Sequence, residues 1–166
     1  MIKLKSDEEI EKLKEGGRLL SKIIHEVAAK AQAGISTREL DWLAENSILK
    51  CGGEPAFKNY QPDFSLKPFP ATLCVSVNNV IVHGIPGNYL LRNGDLVKLD
   101  LGMKYKGFFT DMAITVGVGK ISSLAQKLIR VTRKALDLAI QAAQVGATLG
   151  DIGYAIEQYV RSDSSF

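Results

Sequence analysis

Two cysteines in 166 residues, Cys51 and Cys74, are too few for a disulfide framework, and their separation offers no CxxC pair for zinc or redox chemistry. No run of about eighteen apolar residues occurs, so the sequence contains no candidate for a membrane-spanning helix. The opening MIKLKSDEEIEKLKE is too densely charged to hold the apolar segment of a secretory leader. Long blocks of like charge are missing as well. The 21 basic and 18 acidic residues are scattered to a net +3, a weaker imbalance than a dedicated nucleic-acid binder carries. These absences leave a globular chain of single-domain size, able to bury a real core. It is expected in the reducing cytoplasm, with neither a specific nucleic acid nor a membrane as partner.

What is present begins with helices. Ser6 with Glu9 reads as a capping box, and Ile10, Leu13, Leu20, Ile23, Ile24 and Val27 follow at spacings that suit one buried helical face. Gly34 is expected to end that helix. Ser36 with Glu39 repeats the capping signal, Leu40, Leu43 and Ile48 continue the apolar stripe, and Gly52-Gly53 closes it. From Glu54 to Pro70 prolines, aromatics and polar residues suit a loop or an edge segment. Strands are then predicted over TLCVSVN and VIV on either side of Asn78-Asn79, over DLVKLDLG after Asn93-Gly94, and over GFFTDMAITVGVG. The helical period returns with Leu124, Leu128, Val131, Ala135, Leu138 and Ala142 until Gly146. Thr148 caps a last helix carrying Ile152, Ala155, Ile156 and Val160.

The order helix, helix, strands, helix, helix points to an internal repeat. An offset of 112 residues places Gly34 on Gly146, Ser36 on Thr148, Glu39 on Asp151, Trp42 on Tyr154 and Glu45 on Glu157. Chance similarity of two helical hairpins is the plainer alternative. If the repeat holds, residues 1–119 form a first unit of helices plus strands, and residues 120–166 supply only the helical part of a second. The chain reads as stopping halfway.

Two apolar strands, VKLDLGMKY and GFFTDMAITV, each carry one aspartate. With Tyr105-Lys106 as a two-residue hairpin loop, Asp100 would face Asp111 directly, and like charges so placed repel. A shared proton or a cation held between them would offset the repulsion. A bulge at Gly107 that lets one aspartate reach solvent is the alternative. His83 ends the apolar run VIVHGIPG, where a strand must break into a loop, a common place for a working side chain. Taken alone it is as compatible with a structural role. Combined with the two aspartates, it suits a ligand or a proton carrier beside a hard, doubly anionic site for one or two divalent cations. His25, in HEVAA, fails the HExxH pattern, and GVGK lacks the spacing of a phosphate loop.

LCVSVNNVIVHGIPG, GDLVKLDLG and GFFTDMAITVGVG together resemble the signature segments of type I methionine aminopeptidases, members of the pita-bread metalloenzymes, and the resemblance covers nearly the whole chain. It implies an α+β pita-bread fold in which two pseudo-symmetric halves pack helices against a curved antiparallel sheet. By this resemblance the first repeat is complete and the second is present only as its two helices, within a single, incomplete catalytic domain over residues 1–166. It further implies removal of an initiator methionine from peptides or nascent proteins, with two divalent ions (Co, Mn, Fe or Zn) supplying activated water. Motif by motif, Asp100 would chelate one metal, Asp111 would bridge both, and His83 would hydrogen-bond substrate near the scissile peptide. Phe69, Cys74 and Tyr60 would line the methionine pocket, where a soft thiol and aromatic faces suit a thioether.

Two departures bear on these expectations. YQPDFSLKPFP is longer than the corresponding loop of most type I members, and YVRSDSSF stops before the family's remaining histidine and glutamate ligands. A weak or inactive enzyme, holding one metal or none, is therefore expected. The alternative from another class is a non-catalytic module that binds peptides or proteins, as a homodimer or with a complementing partner over the exposed sheet. The related proline-specific peptidases are a third reading, disfavoured by the compact amino-terminal helix pair.

Overall fold

Ser6 and Glu9 exchange hydrogen bonds at the start of α1 (Asp7–Ala29): Glu9 N–H donates to Ser6 Oγ at 3.3 Å and Ser6 N–H to Glu9 Oε2 at 2.8 Å. The computed structural model describes residues 4–63 and 65–162, which form four helices and a four-stranded antiparallel sheet. In α1 the predicted stripe is buried at Leu20, Ile23, Ile24 and Val27, whereas Ile10 stays exposed. The helix ends at Ala29, earlier than the expected stop at Gly34. That glycine lies in the connector with φ +95°, and its N–H donates to Leu91 O at 2.8 Å. The second capping box, Ser36 with Glu39, opens α2 (Thr37–Lys50), and Gly52 at φ +79° follows its end.

The sheet is built around β3 (Leu96–Tyr105). One edge of β3 pairs along its whole length with β4 (Phe108–Gly117); the other pairs with β2 (Leu73–Val77) and, further along, with the two-residue β1 (Glu54–Pro55). Val97, Leu99, Leu101 and Met103 project to one face and are fully buried under α1 and α2, with Leu73 and Val75 beside them. Lys98, Asp100 and Gly102 take the opposite face. There Cys74 stands directly across from Asp100.

The hairpin register differs from the sequence expectation. The two loop residues are Lys106 and Gly107, at φ +48° and +85°, so Tyr105 pairs with Phe108, Asp111 with Gly102, and Asp100 with Ala113. A hairpin turn of this kind requires positive φ at both central positions, which glycine adopts freely and tyrosine does not. Asp100 and Asp111 are consequently diagonal neighbours on one face rather than direct partners, with Cβ atoms roughly 7 Å apart.

The predicted strand at Val80–Val82 is absent. These residues form an exposed loop, because the backbone beside β2 is taken by Gly84: Val75 N–H donates to Gly84 O at 2.8 Å, and Gly84 N–H to Ser76 Oγ at 3.0 Å. The loop is strapped at further points. Thr37 N–H donates to Tyr89 O and Arg38 N–H to Gly87 O, so it also covers the amino end of α2. Its far end is held by Asp95, whose carboxylate accepts from Asn78 Nδ2 and Arg92 N–H, both at 2.8 Å, and from the Tyr89 hydroxyl at 3.0 Å.

The chain divides into two compact units, Met1–Ile121 and Ser122–Phe166. In the second, α3 (Ser123–Ala142) packs against α4 (Leu149–Ser162). Val131, Ala135 and Ala139 are buried; no described residue of α4 is. Helix α3 ends four residues before the expected stop at Gly146, which takes φ +90° in the connector. Thr148 and Asp151 cap α4 reciprocally, and the 112-residue offset carries α2 onto α4 end to end. The last four residues of YVRSDSSF lie outside the described residues.

Burial pushes the Asp95 carboxyl pKa upward, but its three hydrogen bonds outweigh that and hold it below the ordinary value. Its stabilisation is therefore fully present above the unfolded carboxylate pKa and lost as the pH falls through the lowered folded value. Asp95→Ala is expected to lower the unfolding free energy by about 2–3 kcal/mol at neutral pH. Urea titrations of both proteins should show this gap narrowing in acid.

Candidate functional site

All six residues singled out in the sequence meet in one cavity of about 650 Å³ within the first unit: Tyr60, Phe69, Cys74, His83, Asp100 and Asp111. Each arrives differently. Asp100 and Asp111 come from the paired central strands, and Cys74 from β2 across from Asp100. The start of β2 is pinned by Asp41 of α2, whose Oδ1 accepts from Thr72 and Leu73 N–H at 2.8 Å each. His83 comes from the strapped loop, at φ +57°, an uncommon conformation for a residue with a Cβ. Gly84 next to it lies so near β2 that a Cβ would sit 2.3 Å from Val75 O. Tyr60 and Phe69 form the neck of a loop, where Phe69 N–H donates to Tyr60 O and Asn59 N–H to Phe69 O, both at 2.8 Å.

Burial raises the pKa of Asp100 and the charge of Asp111 raises it further, while His83 acts in the opposite sense; burial also raises that of Asp111. The Cys74 thiol is pushed up to about 12, first by burial and then by the charges of Asp100, Asp111 and Asp41. It remains a neutral, soft surface at physiological pH. The site thus gathers negative charge on a half-buried sheet face, a demand that a cation answers.

Hard oxygen donors of this kind fit a divalent ion in chemical type. In number they fall short: among the described residues no set of three or more His, Cys, Asp or Glu side chains converges to hold one. Sequence reasoning missed other members of the cavity wall. Phe57 packs over Gly102, where a Cβ would lie 2.5 Å from Phe57 Cε1, and Ile85 and Lys67 also contribute. A glycine opposite Asp111 was the available signal, since it leaves space that an aromatic ring fills. Asp41 gave no local signal, because its partners lie 31 and 32 residues away.

Comparison with known proteins agrees with this architecture. Residues 11–166 match metallopeptidase family M24, and the chain belongs to that family. It is 43% identical over 163 residues to the methionine aminopeptidase of Clostridium perfringens, covering 98% of this chain and 63% of that protein. It is 41% identical to that of Aquifex aeolicus, over 95% of this chain and 61% of the relative. The crystal structure of the methionine aminopeptidase from Thermotoga maritima superposes with a TM-score of 0.90 at 34% identity, over 98% of this chain and 63% of that one. The prolidase of Pyrococcus furiosus, at 21% identity and a TM-score of 0.78, shares the fold. The four helices and antiparallel sheet are accordingly part of a pita-bread fold, and the chain spans a little over three-fifths of the length of the curated relatives it matches.

Two unit charges about 7 Å apart repel by roughly 2 kcal/mol at an effective dielectric of 20, and by less where water screens them. Asp111 is exposed, so the lower end applies. In EDTA, Asp100→Asn with Asp111→Asn should raise the unfolding free energy by about 1 kcal/mol, a gain that shrinks with added salt. Chemical denaturation at low and high ionic strength measures it.

Proposed function

We propose that this chain serves a metal-dependent methionine aminopeptidase, acting on the amino-terminal methionine of peptides or nascent proteins in the cytoplasm. The observation that carries the reading is the convergence, in one cavity, of two same-face aspartates, a histidine, a thiol and aromatic rings. Such a cavity separates two tasks. Asp100 and Asp111 would hold the divalent cation, cobalt, manganese, iron or zinc, whose chemistry when bound is to activate water and polarise the peptide carbonyl.

The chain's own groups do the rest. His83, held by Gly84 and the loop straps, would hydrogen-bond substrate near the scissile bond, and its positive φ belongs to a position that the surroundings over-determine. Cys74, protonated, joins Phe69 and Tyr60 to receive a thioether, with aromatic and sulfur contacts supplying affinity without charge. With no third His, Cys, Asp or Glu converging on them among the described residues, Asp100 and Asp111 would hold a divalent ion weakly, and turnover would be slow or nil.

Calorimetric titration with Mn(II) tests the metal half of this reading. Weak binding is expected for the unaltered chain and none for Asp100→Asn with Asp111→Asn; heats that survive the double substitution would place the ion elsewhere. The substrate half is tested by chromatographic detection of methionine released from Met-Gly-Met in excess Mn(II). His83→Ala should lower any measured rate by at least about 100-fold. Specific retention of methionyl peptides with no release at high protein concentration would mark the chain as a binding module instead.

A further inference from the structure

Between Tyr60 and Phe69 the described residues 61–63 and 65–68 are joined by local hydrogen bonds. Ser65 N–H donates to Pro62 O at 2.9 Å, Gln61 Nε2 to Ser65 O at 2.9 Å, and the Ser65 hydroxyl to Lys67 O at 2.7 Å. Pro62, Ser65, Lys67 and Pro68 from this loop all belong to the wall of the cavity that contains Asp100 and Asp111. Lys67 makes no ion pair among the described residues, in contrast to Lys58, Lys104 and Lys106, whose ammonium groups each meet a glutamate. The cavity is therefore bipolar. Two carboxylates stand on its sheet side, and the loop contributes Lys67, an exposed cationic side chain.

Resting on the aminopeptidase reading above, we propose that Lys67 is a specificity-determining residue that favours peptides with a carboxylate a residue or two beyond the amino-terminal methionine. With Asp100 and Asp111 taken up by the cation of that reading, Lys67 offers the ligand a positive charge, which selects for negative charge beyond its amino end. An acidic side chain would gain an ion pair at the rim, and a basic one would be repelled. The two prolines and the hydrogen bonds to the Lys67 backbone fix the chain there, so pairing orders only its side chain. Rim charges of this type discriminate between partners more than they add affinity.

The test is equilibrium binding of carboxy-amidated Met-Ala-Glu, Met-Ala-Gln and Met-Ala-Lys to the full chain in Mn(II) at low salt, followed by calorimetry. The glutamate peptide should bind about three- to fivefold tighter than the glutamine peptide, and the lysine peptide weaker than either. Raising the salt to about 0.5 M should level the series. Lys67→Ala should abolish the preference, and Lys67→Glu should reverse it toward the lysine peptide. Equal affinities for the three peptides, or a preference that persists in Lys67→Ala, would overturn the role of Lys67. The aminopeptidase reading is judged separately, by the preference of the same chain for Met-Ala-Gln over Gly-Ala-Gln amide. Both variants carry surface substitutions in a loop, and matching thermal unfolding curves would exclude misfolding as the cause of any change.

Discussion

The register between β3 and β4 is the constraint on which the rest of the molecule depends. The Lys106-Gly107 turn sets it, and the buried row Val97, Leu99, Leu101 and Met103 locks it. A slip by one residue would turn that row toward water, at about 1.5–3 kcal/mol for each side chain exposed, and would drive Asp100 into the core. No rim interaction in the protein approaches that sum. Because side chains alternate strictly along a strand, the apolar row and the acidic face are two consequences of one alignment. The sheet holds Asp100 and Asp111 on a common face as firmly as it holds its own core.

Diagonal placement then sets the electrostatics. Directly opposed carboxylates would sit close enough to favour a shared proton, whereas diagonal ones leave a gap that a cation can enter. Their pKa values are raised first by desolvation, and at Asp100 the charge of Asp111 adds to it. Cys74 is pinned beside them by Asp41 through the first residues of β2, and burial, reinforced by the same negative field, keeps its thiol neutral. Strand residues thus provide fixed charge, and loop residues provide the adaptable walls.

Features with a short sequence range were legible. The capping pairs Ser6 with Glu9, Ser36 with Glu39 and Thr148 with Asp151 lie three residues apart, and all three form. The shared face of Asp100 and Asp111 was readable too, because moving the turn by one residue along each strand changes the pairing by two positions and leaves the face unchanged. The turn lies one residue beyond the expected Tyr105-Lys106, because Gly107 takes the second positive-φ position that Tyr105 does not. Val80–Val82 read as a strand on composition alone, but a strand needs a neighbour with free backbone groups, and Gly84 had taken that place. Asp95 and Asp41 act through partners up to 32 residues away, which no local pattern encodes. Six residues of the cavity wall stand out in the sequence through a resemblance to a family, whereas Lys67 and Phe57 join the wall for reasons visible only in three dimensions.

The two helical pairs show why pattern and burial are separate properties. Under the 112-residue offset, Leu40, Ala44 and Ile48 of α2 correspond to Ile152, Ile156 and Val160 of α4. The first three are fully buried against the sheet of their own unit, while Ile156 and Val160 are more than a third exposed. Caps, length and apolar stripe are alike, so local propensity is satisfied equally in both. What differs is the surface that each stripe meets. Amphipathic periodicity specifies which side of a helix is prepared for burial, and the stabilisation follows only where an apolar partner removes that side from water. In the first unit β1 and β2 do this for α2, and the same packing carries Asp41 to the head of β2, so that the burial of one helix and the placement of one wall of the cavity are a single event.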